Sequence, residues 1–296
     1  MGVVGQVRLR ARAKVNYALD VTGRRPDGYH NIRSVMQSIS LADDVEIERG
    51  GEGFELLVEP ERTEIGPPKM NTVYRTWLTL REMTGQGLPV RVRLRKRIPA
   101  GAGLAGGSAD AAAALVGMEL LFGLGLGARE VHRLALLVGA DVPFCIAGGT
   151  ALGKGVGDVL DPLPPPPEHF LVVAKPEESA DTGAVYRLHD ELPAEPGHSV
   201  LSVKEALRAG DLTALARSLG NDLARVTGDL VPEVAVLRER LLQLGALGAG
   251  MTGSGTAIYG IFETEDHARS AAGRISAPLV FVCEPMTAGV ELLRDA

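Results

Sequence analysis

Pro99, Ala100, Gly101, Ala102, Gly103, Leu104, Ala105, Gly106, Gly107, Ser108 and Ala109 run consecutively between an alternating segment, Val90 to Arg97, and an alanine-rich apolar segment from Ala111. Glycines in such a place let successive backbone N–H groups converge without Cβ atoms in the way. A helix starting behind them adds the partial positive charge of its N-terminus. The chemistry is that of a cradle for a di- or triphosphate. Gly101-Ala-Gly103-Leu-Ala-Gly106 also satisfies the dinucleotide-binding G-x-G-x-x-G. That motif follows a buried parallel strand, apolar on both faces, whereas Val90 to Arg97 carries Arg91, Arg93, Arg95 and Arg97 on one side. A second candidate, Gly148 to Lys154, matches a P-loop until Gly155 stands where Ser or Thr is needed. It reads as a turn.

Three other places carry reactive side chains. Lys14 and Asn16 share one face of an alternating run, Val7 to Val21. Asp141 lies in Gly-Ala-Asp141-Val-Pro, and Tyr29 and His30 follow the turn signal Asp27-Gly28. Taken singly, each has a plain reading: Lys14 as a solvated strand lysine, Asn16 as surface polarity, Asp141 as a cap or turn residue, Tyr29 packing its own loop. His132, His169, His189, His198 and His267 show no metal-ligand spacing and read as structural or surface residues.

Elements must bring these places together. Val7, Leu9, Ala11, Ala13, Val15, Tyr17 and Leu19 alternate with polar residues, which predicts a half-exposed antiparallel strand. Further strands are expected at Ile32 to Leu41, Asp44 to Glu48, Phe54 to Val58 and Val90 to Arg97, with helices at Asn71 to Met83, from Ala111, and at Arg129 to Val138. Pro162 and Pro164 to Pro167 form a stiff connection, which places a domain boundary there, with units of 1–160 and 161–296. Beyond it come a strand at Phe170 to Ala174, helices at Ser202 to Leu219 and Val231 to Leu244, and a second glycine loop, Met251-Thr-Gly-Ser-Gly255. A strand (Thr256 to Phe262), a helix (Asp266 to Ile275) and a strand (Leu279 to Cys283) finish the order, which suits an α+β layer.

Length and composition bound the function. A chain of 296 residues supports two domains with separate cores. Glycine, at 37 residues, clusters at loops instead of repeating. The net charge of −6 argues against a nucleic-acid or membrane-surface role. Two cysteines in unrelated contexts fit neither a disulfide framework nor a zinc site, and point to a cytoplasmic home. The first residues lack a signal-peptide plan, and Gln6 breaks the myristoylation pattern. Ala111 to Ala128 carries a single charge, Glu119, but its glycines make a core helix followed by a loop the better reading than a membrane span.

Pro-x-x-x-Gly-Leu-Ala-Gly-Gly-Ser resembles the phosphate loop of the GHMP kinases. Ala13-Lys14-Val-Asn16, Arg25-Pro-Asp-Gly-Tyr29-His30, Gly139-Ala-Asp141-Val-Pro143, Asn71-Thr-Val, Asn221-Asp-Leu223 and Met251-Thr-Gly-Ser-Gly255 extend the match over nearly the whole chain. They are similar to the branch acting on a cytidine-diphosphate-linked methylerythritol. The resemblance implies a two-domain fold: a mixed or antiparallel sheet in the first domain and a ferredoxin-like α+β second domain. It implies ATP with Mg²⁺, and transfer of the γ-phosphate to the 2-hydroxyl of 4-diphosphocytidyl-2-C-methyl-D-erythritol, a step towards isoprenoids. By residue, it implies Asp141 as base and Lys14 as its partner. ATP falls on Asn71 and the Pro99 to Ala109 loop, with Ser108 as metal ligand or helix cap. Substrate falls on Asn16, Tyr29, His30, Thr252, Gly253 and Ser254. Asp110 reads as a first-turn acid favouring the helix dipole. Ala105, Ala109 and Ala224 depart from the family pattern, which puts in doubt only a role for position 224. The remaining alternatives are another GHMP small-molecule kinase, of homoserine or mevalonate type, and an RNA-binding module presenting the two arginine-faced strands as a basic sheet.

Overall fold

In the computed structural model residues 5–60, 68–192 and 199–293 are described; His198 and the first four residues lie outside them. The first strand, β1 (Gln6–Arg24), alternates between buried and exposed only at its start. From Ala11 to Asp20 both faces are buried, Lys14 and Asn16 included, so the polar face expected to meet water is covered. Its partner β2 (His30–Arg49) is one twenty-residue strand where two were expected. The two form an antiparallel hairpin whose register shifts between Arg12 and Lys14 and again between Asn16 and Ala18. Such irregularities re-aim side chains, and these two flank the lysine and asparagine.

Four elements build on the hairpin: β3 (Phe54–Glu59), helix α1 (Thr72–Thr84), β4 (Val90–Arg95) and helix α2 (Gly106–Phe122). They are followed by α3 (Ala128–Val138), α4 (Val142–Ala147), β5 (Thr150–Lys154) and β6 (Val159–Pro162). Small residues let α2 lie close on the sheet. Ala111 to Ala114 are buried in the main core, and a Cβ at Gly117 would stand 2.7 Å from both Ile47 and Leu9 side chains. The helix ends at Phe122 with Gly123 in the left-handed region, and among the described residues no helix is long and apolar enough to cross a membrane.

After the proline connection come β7 (Phe170–Lys175), α5 (Thr182–His189), α6 (Ser199–Ala209), α7 (Leu212–Arg217), the short β8 (Gly220–Asn221) and α8 (Ala224–Leu230). The chain continues through α9 (Glu233–Gln243), β9 (Gly248–Met251), β10 (Ile258–Phe262), α10 (Glu265–Ala272), β11 (Leu279–Cys283) and β12 (Val290–Leu293). The helix expected over Ser202 to Leu219 is divided: Gly210 has φ +65°, and the Asp211 side chain caps α7 by accepting from the Ala214 amide. The second sheet has the order β11-β7-β10-β9, all antiparallel. With helices in the crossovers, this is the ferredoxin-like layer expected. The larger sheet runs β12-β1-β2-β4-β3, with β5 and β8 attached to β2 and β1. Thus β8 and β12, from the second half of the sequence, pair with strand β1 of the first.

The arginine-faced strands do not make a basic surface. Arg8 and Arg93 meet Glu46, Arg10 and Arg97 meet Asp44, Arg91 meets Glu55, and Arg95 meets Glu59. Exposed pairs of this kind add little stability. Their effect is to interleave the cations with carboxylates, which removes the ground for the RNA reading.

Between the layers, Tyr17 and Tyr259 are buried; the Tyr17 hydroxyl lies 3.1 Å from His169 Nε2, and His169 Nδ1 lies 2.7 Å from the Pro167 carbonyl. Because a carbonyl only accepts, Nδ1 carries the proton and the neutral Nε2 accepts from Tyr17. Burial lowers the His169 pKa from the ordinary histidine value, in spite of the Pro167 bond. The unfolded chain therefore binds this proton more readily, and stability falls as pH drops below about 6.5. Urea unfolding from about pH 7.5 down to 5 is expected to show this loss, and His169→Gln to show less of it. An identical pH slope in the variant would exclude His169 as the source.

Candidate active site

Lys14 is the buried cation around which the site forms. Its Nζ donates to Asn16 Oδ1 at 2.7 Å and to the Gly103 carbonyl at 2.9 Å, with Asp141 Oδ2 at 3.9 Å. Its side chain is 4% exposed, against 36% for Asp141. The carboxylate therefore faces the open side, and the ammonium is held behind it. Asp141 occupies the N-cap position of α4, yet its side chain makes no capping hydrogen bond. The capping role that this position invites is left unfilled, and both carboxylate oxygens remain available to a ligand.

The glycine loop arrives from the other side. Helix α2 begins at Gly106, earlier than expected, so the loop's last glycines form its first turn. Orphan N–H groups of that turn point out of the helix end. No side chain caps them, since the N-cap residue is Ala105, in the left-handed region at φ 59°. An alanine there costs about 1–2 kcal/mol, at the position where the family pattern has glycine. Ser108 does not cap α2 either; its hydroxyl makes no hydrogen bond among the described residues, and it lines the cleft.

The second glycine loop closes the arrangement. Asn16 Oδ1 accepts from Gly253 N at 2.8 Å as well as from Lys14, and the Thr252 hydroxyl lies 3.0 Å from both Asn16 Oδ1 and the Gly103 carbonyl. Asn16 Nδ2 donates to Ser34 Oγ at 2.7 Å. Asn221 Nδ2 donates to the Met251 and Gly253 carbonyls, and the Val21 amide donates to Asp222, which fastens this loop to β1. A pyrimidine-sized aromatic wall stands at one end. Tyr29 is 66% exposed, and the His30 ring stacks on Tyr186 with centroids 4.8 Å apart. His30 Nε2 is bonded to Asp190 at 2.8 Å, which leaves Nδ1 for a ligand.

All of these face one cleft of about 1030 Å³. It is lined by Lys14, Asn16, Tyr29, His30, Asn71, Asp141, Gly253, Ser254 and the whole Pro99 to Ser108 loop. Two expected residues stand behind the surface: Ala109 is buried in the core, and Thr252 is fully buried with its hydroxyl engaged. Asn71 caps α1 by accepting from the Val73 amide, and the adjacent Thr72 hydroxyl donates to the Gly107 carbonyl. Asp110 is not a surface acid of the first turn. It is buried against Lys96, and burial, opposed by Lys96 and aided by Asp43, pushes its carboxyl well above the usual range. Residues that the motifs did not single out are Tyr186, Asp190, Thr182 and Lys96. Lys96 left a trace: it falls on the inward phase of the Val90, Val92, Leu94 alternation. Tyr186 and Asp190 left none, because they reach the site only through the fold.

The GHMP kinases N terminal domain model matches residues 71–149, and the GHMP kinases C terminal model matches residues 203–280. A 4-diphosphocytidyl-2-C-methyl-D-erythritol kinase of Moorella thermoacetica is 44% identical over 90% of this chain and 94% of its own length. The one from Thermoanaerobacter pseudethanolicus is 38% identical over 97% and 99%. The chain belongs to this kinase family. A crystal structure of a 4-(cytidine 5'-diphospho)-2C-methyl-D-erythritol kinase superposes with TM-score 0.81 at 35% identity, covering 94% of this chain and 98% of that one. A homoserine kinase from Cytophaga hutchinsonii, at 19% identity and TM-score 0.78 over 99% of both chains, shares the fold. As a GHMP kinase, the chain is an enzyme that moves phosphate from ATP to a small molecule.

The two glycine loops of this kinase touch backbone to backbone. Gly103 has φ +74°, and a Cβ there would stand 2.0 Å from the Thr252 carbonyl oxygen. At Gly107 the nearest atoms would be 3.6 Å away, an ordinary contact. Gly103→Ala is expected to lower stability by about 2 kcal/mol or more and kcat/KM by about a hundredfold. Gly107→Ala should cost clearly less of both. Chemical denaturation and steady-state assays of the two purified variants check the ranking.

Proposed function

We propose that this chain transfers the γ-phosphate of ATP to the 2-hydroxyl of 4-diphosphocytidyl-2-C-methyl-D-erythritol. The observation that carries the reading is one cleft receiving three things: the uncapped start of α2, the Lys14–Asp141 pair, and an aromatic wall of pyrimidine size. The first suits polyphosphate, the second an alcohol that must lose a proton, the third a cytosine ring.

Asp141 accepts the hydroxyl proton as the alkoxide oxygen bonds to the γ-phosphorus, and the bond to the ADP oxygen breaks. Its oxygens are free for this because they cap nothing. Lys14 has three N–H donors, and two are used by Asn16 and Gly103. The third is left for the moving phosphoryl group, whose charge it offsets. Amides at the start of α2 hold the β- and γ-phosphates. Asn16 acts from behind: with its amide oxygen already shared by Lys14 and Gly253, it aims the ammonium and ties the second glycine loop to β1. Gly253 and Ser254 approach the substrate from that loop. Mg²⁺ fits as a companion of the phosphates, since the Ser108 hydroxyl makes no hydrogen bond of its own among the described residues and no group of three or more His, Cys, Asp or Glu there could hold the ion alone. Bound, it would neutralise phosphate charge.

Cytosine stacks on Tyr29 or Tyr186, with His30 beside its edge. Stacking on an aromatic ring is worth about 1–3 kcal/mol. The free, buried Cys145 and Cys283 fit a reducing cytoplasm.

Release of ADP, measured over a panel of alcohols, tests the whole reading. The cytidyl erythritol should be the substrate turned over, and turnover of homoserine or mevalonate in its place would refute the assignment. Asp141→Asn is expected to lower kcat by about 10²–10⁴-fold with ATP affinity kept; a fully active variant would remove Asp141 as base. Tyr29→Ala should raise KM for the cytidyl substrate about tenfold, with kcat little changed.

A further inference from the structure

Beneath the glycine loop lies a buried ionic cluster that the phosphoryl-transfer mechanism does not use. Lys96 Nζ donates to Asp43 and, at 2.7 Å, to Asp110 Oδ2. All three side chains are buried, Asp43 completely. Asp43 Oδ1 also accepts from the backbone amides of Arg97 and Ile98, the latter at 2.8 Å. Those residues immediately precede Pro99, where the loop begins, and Asp110 lies one residue past Ala109, where it ends. The ammonium sits under the first residue of α2: a Cβ on Gly106 would be 3.4 Å from it and 2.8 Å from the Ile98 side chain.

Three ionisable side chains removed from water need a reason. A buried ion pair is weak evidence for stability, since apolar residues of similar volume often serve better. Here one carboxylate oxygen, Asp110 Oδ1, has no hydrogen-bond partner among the described residues, so the cluster is not arranged for the best solvation of its members. What it does achieve is geometric. Hydrogen bonds accepted by Asp43 tie it to both flanks of the loop, directly from the Ile98 amide on one side and through Lys96 on the other.

Resting on the reading that this loop holds ATP, we propose that Asp43, Lys96 and Asp110 are positioning residues, a buckle that clasps the loop's two ends to β2 and so keeps its amides convergent on polyphosphate. A cradle whose ends drift apart by about an ångström loses the alignment on which its amides depend. The buckle therefore acts on nucleotide and not on the alcohol, whose wall is built by Tyr29, His30 and Tyr186 some distance along the cleft.

The test is calorimetric titration of the full chain with Mg²⁺-ATP and, separately, with cytidine diphosphate. It compares the parent protein with Lys96→Met, Asp110→Asn and the double variant, each with its unfolding midpoint. Lys96→Met should weaken ATP at least about tenfold while cytidine diphosphate stays within about twofold. The double variant should bind ATP no worse than the weaker single, because the two residues act through one contact. Equal weakening of both ligands, additive effects, or a lowered midpoint with ATP affinity intact would each overturn the buckle and leave a merely structural cluster. If Lys96→Met does not fold, the near-isosteric Asp110→Asn decides by the same ATP-against-cytidine split. Failure of the parent protein to bind ATP would instead refute the functional reading, and the buckle with it.

Discussion

A lysine ammonium that is almost wholly out of water must be satisfied by the protein, and the structure is organised by how Lys14 is satisfied. Its two hydrogen bonds go to different parts of the chain, one to Asn16 on its own strand and one to the carbonyl of Gly103 in the phosphate loop. Asp141, at 3.9 Å, supplies the opposite charge. At such a separation, attraction is about 4 kcal/mol near a protein surface, before lost hydration is set against it. Any displacement of the loop or of α4 would leave a buried charge with too few partners, which costs more than an ordinary broken contact. The cation thus ties β1, the first glycine loop and Asp141 into one arrangement.

Asn16 carries that constraint into the second half of the chain. One amide oxygen serves Lys14, Gly253 and the Thr252 hydroxyl, and the Asn16 backbone carbonyl accepts from buried Tyr259 at 2.7 Å. For these bonds to form together, the two glycine loops must come to backbone contact, which is why Gly103 cannot carry a side chain. Pairing of β12 at Arg8–Ala11 and of β8 at Ala18–Leu19 pins the same strand at two places along the edge that β2 does not occupy. The site is therefore built on a rigid strand, with mobile-looking glycine segments pressed against it and held.

Much of this was legible in the residues, and the failures share a cause. The glycine loop is followed, as expected, by a helix, whose start no side chain caps, and alternation placed β1 and β4 correctly. Alternation failed where a second layer covers the polar face: Lys14 and Asn16 keep a strand's period of two, and nothing local tells a solvated face from one covered by distant chain. Asp110 was misread for the same reason, since a first-turn acid and a buried ion partner look alike until Lys96 is brought beneath it. Tyr186 and Asp190 lie some 160 residues after His30, and only the docking of α5 on the hairpin turn makes them neighbours.

The division of labour within the cleft follows from what each part is made of. On the proposed function, phosphate meets backbone amides and a helix end, groups that any sequence with enough glycine can present, and so this half of the site suits a fold that serves many alcohols. Choice of alcohol must then reside in side chains, and those at the aromatic end are carried by the tip of the β1–β2 hairpin and by α5. Tyr29 is mostly exposed, whereas His30 is packed between Tyr186 and Asp190. On the proposed function, a rigid histidine edge beside an unpacked tyrosine would let a fixed group read the base's hydrogen-bonding edge while its face is covered by one that can adjust. Specificity and phosphate binding are, on that same proposal, separated in material as well as in space, and the β1–β2 hairpin serves both, with Lys14, Asn16 and Asp43 towards the loop and His30 at the aromatic end.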